Sequence, residues 1–156
     1  MRASIGAASL SVLRSNAMSG PAFHVQSTAR VGGSYRGEPR PFDLELISDP
    51  DRIDMRMGLE VHLDQELGGE LGLSAGCNSA DDHRILAELA VWLASRFDAY
   101  VMLDGRLSCS PEEVKAMPGS LHRLDADLGH LVIRCDVADA AFLRGWLAQP
   151  AFHMIK

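Results

Sequence analysis

The feature that most constrains the fold is an amphipathic helical pattern flanked on both sides by strand patterns. Residues 81–98 read DDHRILAELAVWLASRFD and carry one apolar stripe, formed by Ile85, Leu86, Leu89, Leu93 and Phe97. The segment before it, ELGLSAGC (70–77), alternates apolar and small residues, and AYVML (99–103) after it is continuously apolar. Both flanks are therefore predicted strands, the second a central one. A helix between two strands in a short chain predicts a sheet covered by helices.

Three further segments extend this pattern along the chain. FDLELI (42–47) alternates as a half-buried strand does, and residues 121–135 predict a hairpin because both of its arms can alternate. A short helix is predicted over 138–148, with Asp136 or Asp139 at its start. The chain therefore holds at least two helices and several strands that turn back on one another.

Residues 53–67 fit two structures, because their apolar residues alternate like a strand while three leucines recur four positions apart like a helix. We expect a strand over 53–57 and a helix over about 59–67. Together the elements predict an α+β fold. It is a single domain whose mostly antiparallel sheet has two main helices, 81–97 and 138–148, packed on it.

The first forty residues differ in character from the rest of the chain. Residues 1–17 are small, rich in Ser and Ala and free of acids, and Met18 offers an alternative start. The segment VGGSYRGEPRP (31–41) has no apolar periodicity and is typical of a loop. We therefore expect residues 1–40 to form a poorly ordered N-terminal extension and residues 41–156 to form the domain.

The net charge of −6 is unevenly distributed. The first 37 residues hold four arginines and no acid, which leaves a net charge of −10 on the remainder. A body of that charge repels nucleic-acid phosphates and attracts basic surfaces, although solubility alone also accounts for it. No apolar run approaches the roughly 18 residues of a membrane span. The three cysteines form no CxxC pair, so free thiols and a cytoplasmic location are expected.

The segment GCNSADDHRIL (76–86) concentrates residue types that catalysis uses. One hypothesis makes Cys77 a nucleophile and His83 its base, with Asn78 or Asp82 orienting the imidazole. A thiol just before a helix start, with a histidine six residues on, has two routes to a lowered pKa. The sequence therefore leaves a hydrolase or transferase open as an alternative function.

A structural interpretation accounts for most of the same residues. The strand alternation puts Cys77 on the apolar side of its strand, where a buried thiol is inert. With Ser79 as N-cap, Asp82 falls at the third helical position and completes a capping box. A metal site here would need His62 or His130, and their spacing does not suggest one. We favour capping and packing over catalysis, and expect no metal and no cofactor.

Two segments together resemble a family of uncharacterised bacterial proteins of the actinobacterial type. They are residues 71–107 and 136–156, whereas the N-terminal third matches the family pattern poorly. The positions that carry the resemblance are Cys77, Asn78, Asp82, His83, Asp104, Gly105, Phe142, Leu143, Trp146, Leu147, Pro150, Phe152, Met154 and Lys156. The resemblance implies a domain of unknown function, similar in size and character to immunity proteins that neutralise bacterial toxins.

The function expected from the sequence is that of a small, acidic, protein-binding module. The partner would be a cognate basic toxin or effector that the chain occludes sterically, with no role for nucleic acid or a membrane. The candidate contacts are surface acids on the expected strands and turns: Asp43, Glu45, Glu60, Asp64 and Asp125. An enzyme that uses Cys77 and His83 is the alternative.

Overall fold

The computed structural model describes residues 7–12, 22–47, 53–103, 105–127, 132–150 and 152, with side chains for all of them except 7–12, 53–55, 126–127 and 132–133. The chain runs through seven strands, four α-helices and one 3-10 turn in the described residues. In order they are β1 (Ala7–Val12), β2 (Ala22–Ser27), the 3-10 turn (Ala29–Val31), β3 (Arg36–Ile47), α1 (Ile53–Leu63), β4 (Leu67–Ala75), α2 (Ala80–Phe97), β5 (Tyr100–Leu103), α3 (Pro111–Ala116), β6 (Leu121–Asp127), β7 (Val132–Ala138) and α4 (Ala140–Leu147).

The described strands form one mixed sheet in the order β2-β3-β4-β1-β5-β7-β6. The three central strands, β4, β1 and β5, are parallel. The other four pairings are antiparallel, and they join β2 to β3, β3 to β4, β5 to β7 and β7 to β6. The prediction of an α+β domain with a mostly antiparallel sheet is therefore confirmed.

The expected boundary near residue 41 is wrong. Strand β1 lies in the middle of the sheet, where Leu10 is in register with Leu71 on one side and Val101 on the other. Strand β2 and the first half of β3 also precede Pro41 and pair with each other. The signal was weak because β1 consists largely of small residues, and because the Gly/Pro/Arg-rich half of β3 pairs only with an edge strand.

The strand expected over 53–57 is also wrong, because α1 runs over Ile53–Leu63. The helical spacing of the leucines decides the outcome, since it turns Leu59 inward, where it is 2% exposed. Helix α1 ends before Asp64, whose φ is 50°, and β4 then begins at Leu67. The strand at 42–47, the helix at 81–97, the hairpin and the helix near 138–148 are confirmed.

Two apolar cores lie on opposite faces of the sheet. On one face, α2 and α4 pack against β3, β4 and β5 through a core that includes Phe42, Leu73, Ile85, Val101 and Phe142. On the other face, α1 covers a smaller core made of Leu59, Leu67, Met102, Leu124, Cys135 and Val137. None of the described helices is long and apolar enough to cross a membrane.

Candidate functional site

The segment that sequence analysis singled out forms the start of α2, and its polar residues cap that helix. The Ser79 Oγ accepts a hydrogen bond from the Asp82 backbone N–H at 3.3 Å. The Asp82 carboxylate accepts one from the Ser79 backbone N–H at 2.6 Å. This reciprocal pair is the predicted capping box, and it satisfies two backbone donors that the helix itself leaves unpaired.

Asp82 also holds an ion pair that sequence analysis did not find. Its carboxylate accepts two hydrogen bonds from the Arg40 guanidinium of β3, at 2.8 Å from Nε and 2.6 Å from Nη2. Burial would by itself raise the pKa of Asp82, but the bonds from Arg40 and Ser79 outweigh it and lower the pKa to about 2. Asp82 is therefore an ionised structural group that ties β3 to α2, and its oxygens are occupied.

Cys77 is exposed, so the prediction of an inward-facing, buried thiol is wrong. Strand β4 ends at Ala75, and the Gly76 N–H still donates to the Pro41 carbonyl at 2.9 Å, so Cys77 follows directly after this backbone contact with β3. Arg40 lies nearby: its pKa is raised mainly by the hydrogen bonds to Asp82, and Cys77 is close enough to add a smaller electrostatic contribution. An exposed thiol near a guanidinium and a helix start is a chemically plausible nucleophile.

His83 pairs with the side-chain amide of Asn78. Its Nε2 lies 3.0 Å from Asn78 Oδ1, which accounts for both polar side chains without a substrate. The structure thus brings Cys77, Asn78, Asp82 and His83 together at one helix start. Asn78, Asp82 and His83 each have a described partner other than the Cys77 thiol.

Of the acids expected to form a partner-binding surface, one is buried and three make local contacts within the chain. Asp43 is buried, at 4% exposure, so its assignment to the surface is wrong. Glu45 lies against Gly72 on the sheet, and Glu60 accepts a hydrogen bond from the Leu67 N–H at 3.0 Å. Asp64 is exposed after α1, whereas Asp125 lies on the edge strand β6 and pairs with Arg106 and Arg134.

Much of the acidic excess lies inside the protein. Five acidic side chains are buried, namely Asp43, Glu70, Asp82, Glu88 and Asp136, whereas no described Arg or Lys is. The described side chains that are not buried comprise eleven acids and eleven bases. The net charge of −6 therefore does not describe the outer surface of the described part of the chain.

The histidines that sequence analysis considered as metal ligands are only partly described. His62 of α1 meets His122 of β6 edge to face, with ring centroids 5.8 Å apart, and Tyr100 contacts the same ring at 6.0 Å. His130 and Asp104 lie outside the described residues. Within the described part of the chain, no group of three or more His, Cys, Asp or Glu is arranged to hold a metal ion.

A groove that sequence analysis missed runs between α2, α4 and the loop 31–34. We call it the Trp92 groove. It encloses about 870 Å³ and is lined by Val31, Gly32, Gly33, Ser34, Ala80, Arg84, Glu88, Val91, Trp92, Ser95, Arg144, Leu147, Ala148, Gln149, Pro150 and Phe152. Trp92 is 42% exposed although it is the largest residue type. The sequence could have indicated this exposure, because Trp92 lies outside the apolar stripe of α2.

A buried carboxylate fixes one wall of the Trp92 groove. Glu88, at 5% exposure, accepts hydrogen bonds from the Thr28 hydroxyl and from both the backbone N–H and hydroxyl of Ser34, the latter two at 2.9 Å. Burial would raise the pKa of Glu88, but these bonds lower it below its ordinary value. Gly33 completes the wall, because any Cβ there would collide with the Glu88 carboxylate and the Thr28 hydroxyl.

The two arginines of the groove are held on its rim. The Arg84 Nη1 donates to the Ser34 hydroxyl at 2.9 Å and lies 3.7 Å from Glu88. The Arg144 Nη2 donates to the Ser95 hydroxyl at 3.1 Å. Glu88 is the one acid in the described lining, and its oxygens already accept three hydrogen bonds. In its described lining, the groove therefore combines exposed apolar surface with two arginines and one acid that is already hydrogen-bonded.

These features define a small α+β protein with one mixed sheet, helices on both faces and a preformed groove between two helices and a loop. A family profile matches residues 8–156, and the chain belongs to that family of unknown function (DUF6368). The match includes the N-terminal third, which was expected to match poorly, and it agrees with the place of β1 and β2 in the sheet. Searches of curated proteins and of solved structures give no match.

Proposed function

We propose that this protein is a bacterial cytoplasmic protein-binding module that neutralises a toxin by covering it sterically. The observation that carries the proposal is the 42% exposure of Trp92 in a groove with arginines on its rim. Exposed Trp and Arg are the residue types that most often dominate the energy of protein interfaces. Exposing an indole ring to water is unfavourable, and burying the ring under a partner protein recovers that free energy.

The way the groove is built supports binding without rearrangement. The loop 31–34 is tied to α2 through Glu88, and the start of α2 is tied to β3 through Asp82. A wall fixed in advance loses little conformational entropy when a partner docks. Occlusion of this kind needs no cofactor, because the bound module only blocks access to the partner's own site.

Growth rescue tests the proposed function. The toxin that the proposal requires is first sought among the proteins encoded beside the gene for this chain, and it is then expressed alone, with the wild-type chain, and with the Trp92→Ala variant. We expect the wild type to restore growth and Trp92→Ala to fail, because truncating an interface hot spot costs about 2 kcal/mol or more. Val61→Ala is the matched control, since Val61 is 83% exposed on α1 and does not line the groove. Equal rescue by Trp92→Ala, or no rescue by the wild type, contradicts the proposal.

A thiol-dependent hydrolase or transferase is the second candidate function. It is supported by the exposure of Cys77 and by the proximity of Arg40 and the α2 start. Exposure alone makes the thiol easy to label, so the informative quantity is the pH at which its labelling rate by iodoacetamide reaches half its maximum. A midpoint well below about 8.5 supports a catalytic thiolate, and a midpoint near that value rules it out. Cys77→Ser is the control, because Cys109 and Cys135 are buried.

A further inference from the structure

We infer that the Trp92 groove recognises an acidic segment of a partner protein that also carries an apolar anchor. This inference rests on the proposed function, which it deepens by naming the chemistry of the partner. It reverses the expectation that the partner is basic. Three features of the groove lead to it: the charge on its rim, the apolar surface it exposes, and its size.

The charge that the groove presents to solvent is positive. Arg84 and Arg144 are both exposed, and Arg144 has a described partner that is neutral, the Ser95 hydroxyl. Glu88 is buried and turned toward Thr28 and Ser34, and its ion pair with Arg84 at 3.7 Å offsets part of the Arg84 charge, so Arg144 carries the less opposed charge of the two. Guanidinium groups bind carboxylates through paired hydrogen bonds, so the rim complements Asp and Glu side chains.

A second recess adjoins the Trp92 groove along the loop 31–34. It encloses about 380 Å³, shares Ser34 and Arg84 with the Trp92 groove, and adds Arg36 and Arg40. The Arg36 Nη1 donates a hydrogen bond to the Tyr35 carbonyl at 2.6 Å. Because a carbonyl is neutral, this bond does not offset the positive charge of Arg36. Glu38 and Asp81 also line this recess, and Asp82 pairs with Arg40, so the recess adds little net positive charge. The acidic segment is therefore centred on Arg84 and Arg144.

The floor of the groove is apolar. Val91, Trp92, Leu147 and Phe152 line it, and the exposed indole gives a flat surface on which an aliphatic or aromatic side chain can rest. A volume of about 870 Å³ lies in the range of roughly 300–1,000 Å³ that encloses a drug-sized ligand. The groove thus holds a short peptide segment with one or two anchoring side chains.

Selection from a random peptide library displayed on phage tests the inference with purified full-length protein. We expect the selected peptides to be acidic and to contain an apolar residue. Synthetic versions, measured by fluorescence anisotropy, should bind Arg144→Glu and Trp92→Ala at least about tenfold more weakly than the wild type. Arg134→Glu is the matched control, because Arg134 is exposed on β7 and does not line the groove. Replacing the peptide acids with lysine should weaken binding similarly.

Several outcomes would overturn the inference. They are selection of no peptides, selection of neutral or basic peptides, or binding that Arg144→Glu leaves unchanged while its circular dichroism matches the wild type. Displacement of the peptide by inorganic phosphate or a short single-stranded DNA at lower concentration than by a second acidic peptide would assign the groove to phosphate ligands instead. Acidic-peptide binding combined with failed growth rescue would keep this inference and remove the toxin role, so the two failures are distinguishable.

Discussion

Asp82 combines the two interactions that hold the start of α2 in place, because it caps the helix and pairs with Arg40. We expect Asp82→Ala to lower the free energy of unfolding by about 2 kcal/mol or more, since it removes a cap and leaves a guanidinium without its partner. Urea unfolding at neutral pH measures the change. Asp81→Ala is the matched control: Asp81 is exposed in the same first turn and should change stability by less than about 0.5 kcal/mol. Equal effects of the two variants would contradict this role.

The pKa of Asp82 makes part of the stability depend on pH. Its value of about 2 in the folded protein lies below the ordinary value near 3.9. The unfolded chain therefore binds more protons between those values, and stability falls as the pH is lowered through them. We expect urea midpoints to decrease from pH 5 to about pH 3 in the wild type, with a shallower decrease in Asp82→Asn. Parallel curves for the two proteins would exclude this contribution.

Asp136 should show the opposite behaviour. It is fully buried, burial raises its pKa, and only its Oδ2 accepts a described hydrogen bond, from the Leu107 N–H at 2.8 Å. A raised folded pKa means that stability is lost as the pH rises through that pKa. Asp136→Asn keeps an acceptor for Leu107 and removes the charge, so we expect it to be as stable as the wild type at pH 4 and more stable, by about 1 kcal/mol, at pH 7. The Arg123 Nε lies 3.9 Å from the Asp136 Oδ1, and a variant destabilised at pH 7 would show that this ion pair dominates.

At the scale of single residues, the sequence predicted local geometry well and long-range partners poorly. The capping box was predictable because Ser79 and Asp82 are three residues apart. The exposure of Cys77 was not, because it depends on where the pairing of β4 with β3, a strand distant in sequence, ends. Arg40 lies far from Asp82 in sequence, and no local pattern connects them.

The contact between the loop 31–34 and α2 determines the shape of the Trp92 groove. We expect Gly33→Ala to destabilise the protein and to weaken binding in the groove, because the added methyl group would displace Glu88 or Thr28. The matched control is Gly58→Ala in α1, where an added Cβ meets nothing within 4 Å. It should raise stability by roughly 0.5–1 kcal/mol, since alanine favours a helix more than glycine does. Chemical unfolding of both variants measures the contrast, and a harmless Gly33→Ala would show that the loop adapts.

At the scale of elements, α1 shows why a pattern with two periods needs tertiary information. Its apolar residues fit a strand as well as a helix. The helix forms because Leu59 and Leu63 then pack together on the core that includes Leu67, Met102 and Val137. The strands supplying that core come from later in the chain, so the local sequence could not decide between the two structures.

At the scale of the whole molecule, the fold class followed from the order of strand and helix patterns, whereas the arrangement of the sheet did not. The central position of β1 depends on pairing with β4 and β5, which are distant in sequence. The groove likewise combines residues from the loop, α2, α4 and positions 148–150 and 152. None of these segments indicates a groove from its own sequence, because Trp92, Arg144 and Phe152 come together only in the folded protein.

The central claim is that the protein acts by binding a partner through the Trp92 groove. The most direct test is isothermal titration calorimetry of the purified toxin domain with the wild-type chain, Trp92→Ala and Val61→Ala. The proposal predicts a saturable complex for the wild type and for Val61→Ala, and a dissociation constant at least about thirtyfold higher for Trp92→Ala. Equal dissociation constants for the wild type and Trp92→Ala, or no heat of binding with the wild type, would contradict it.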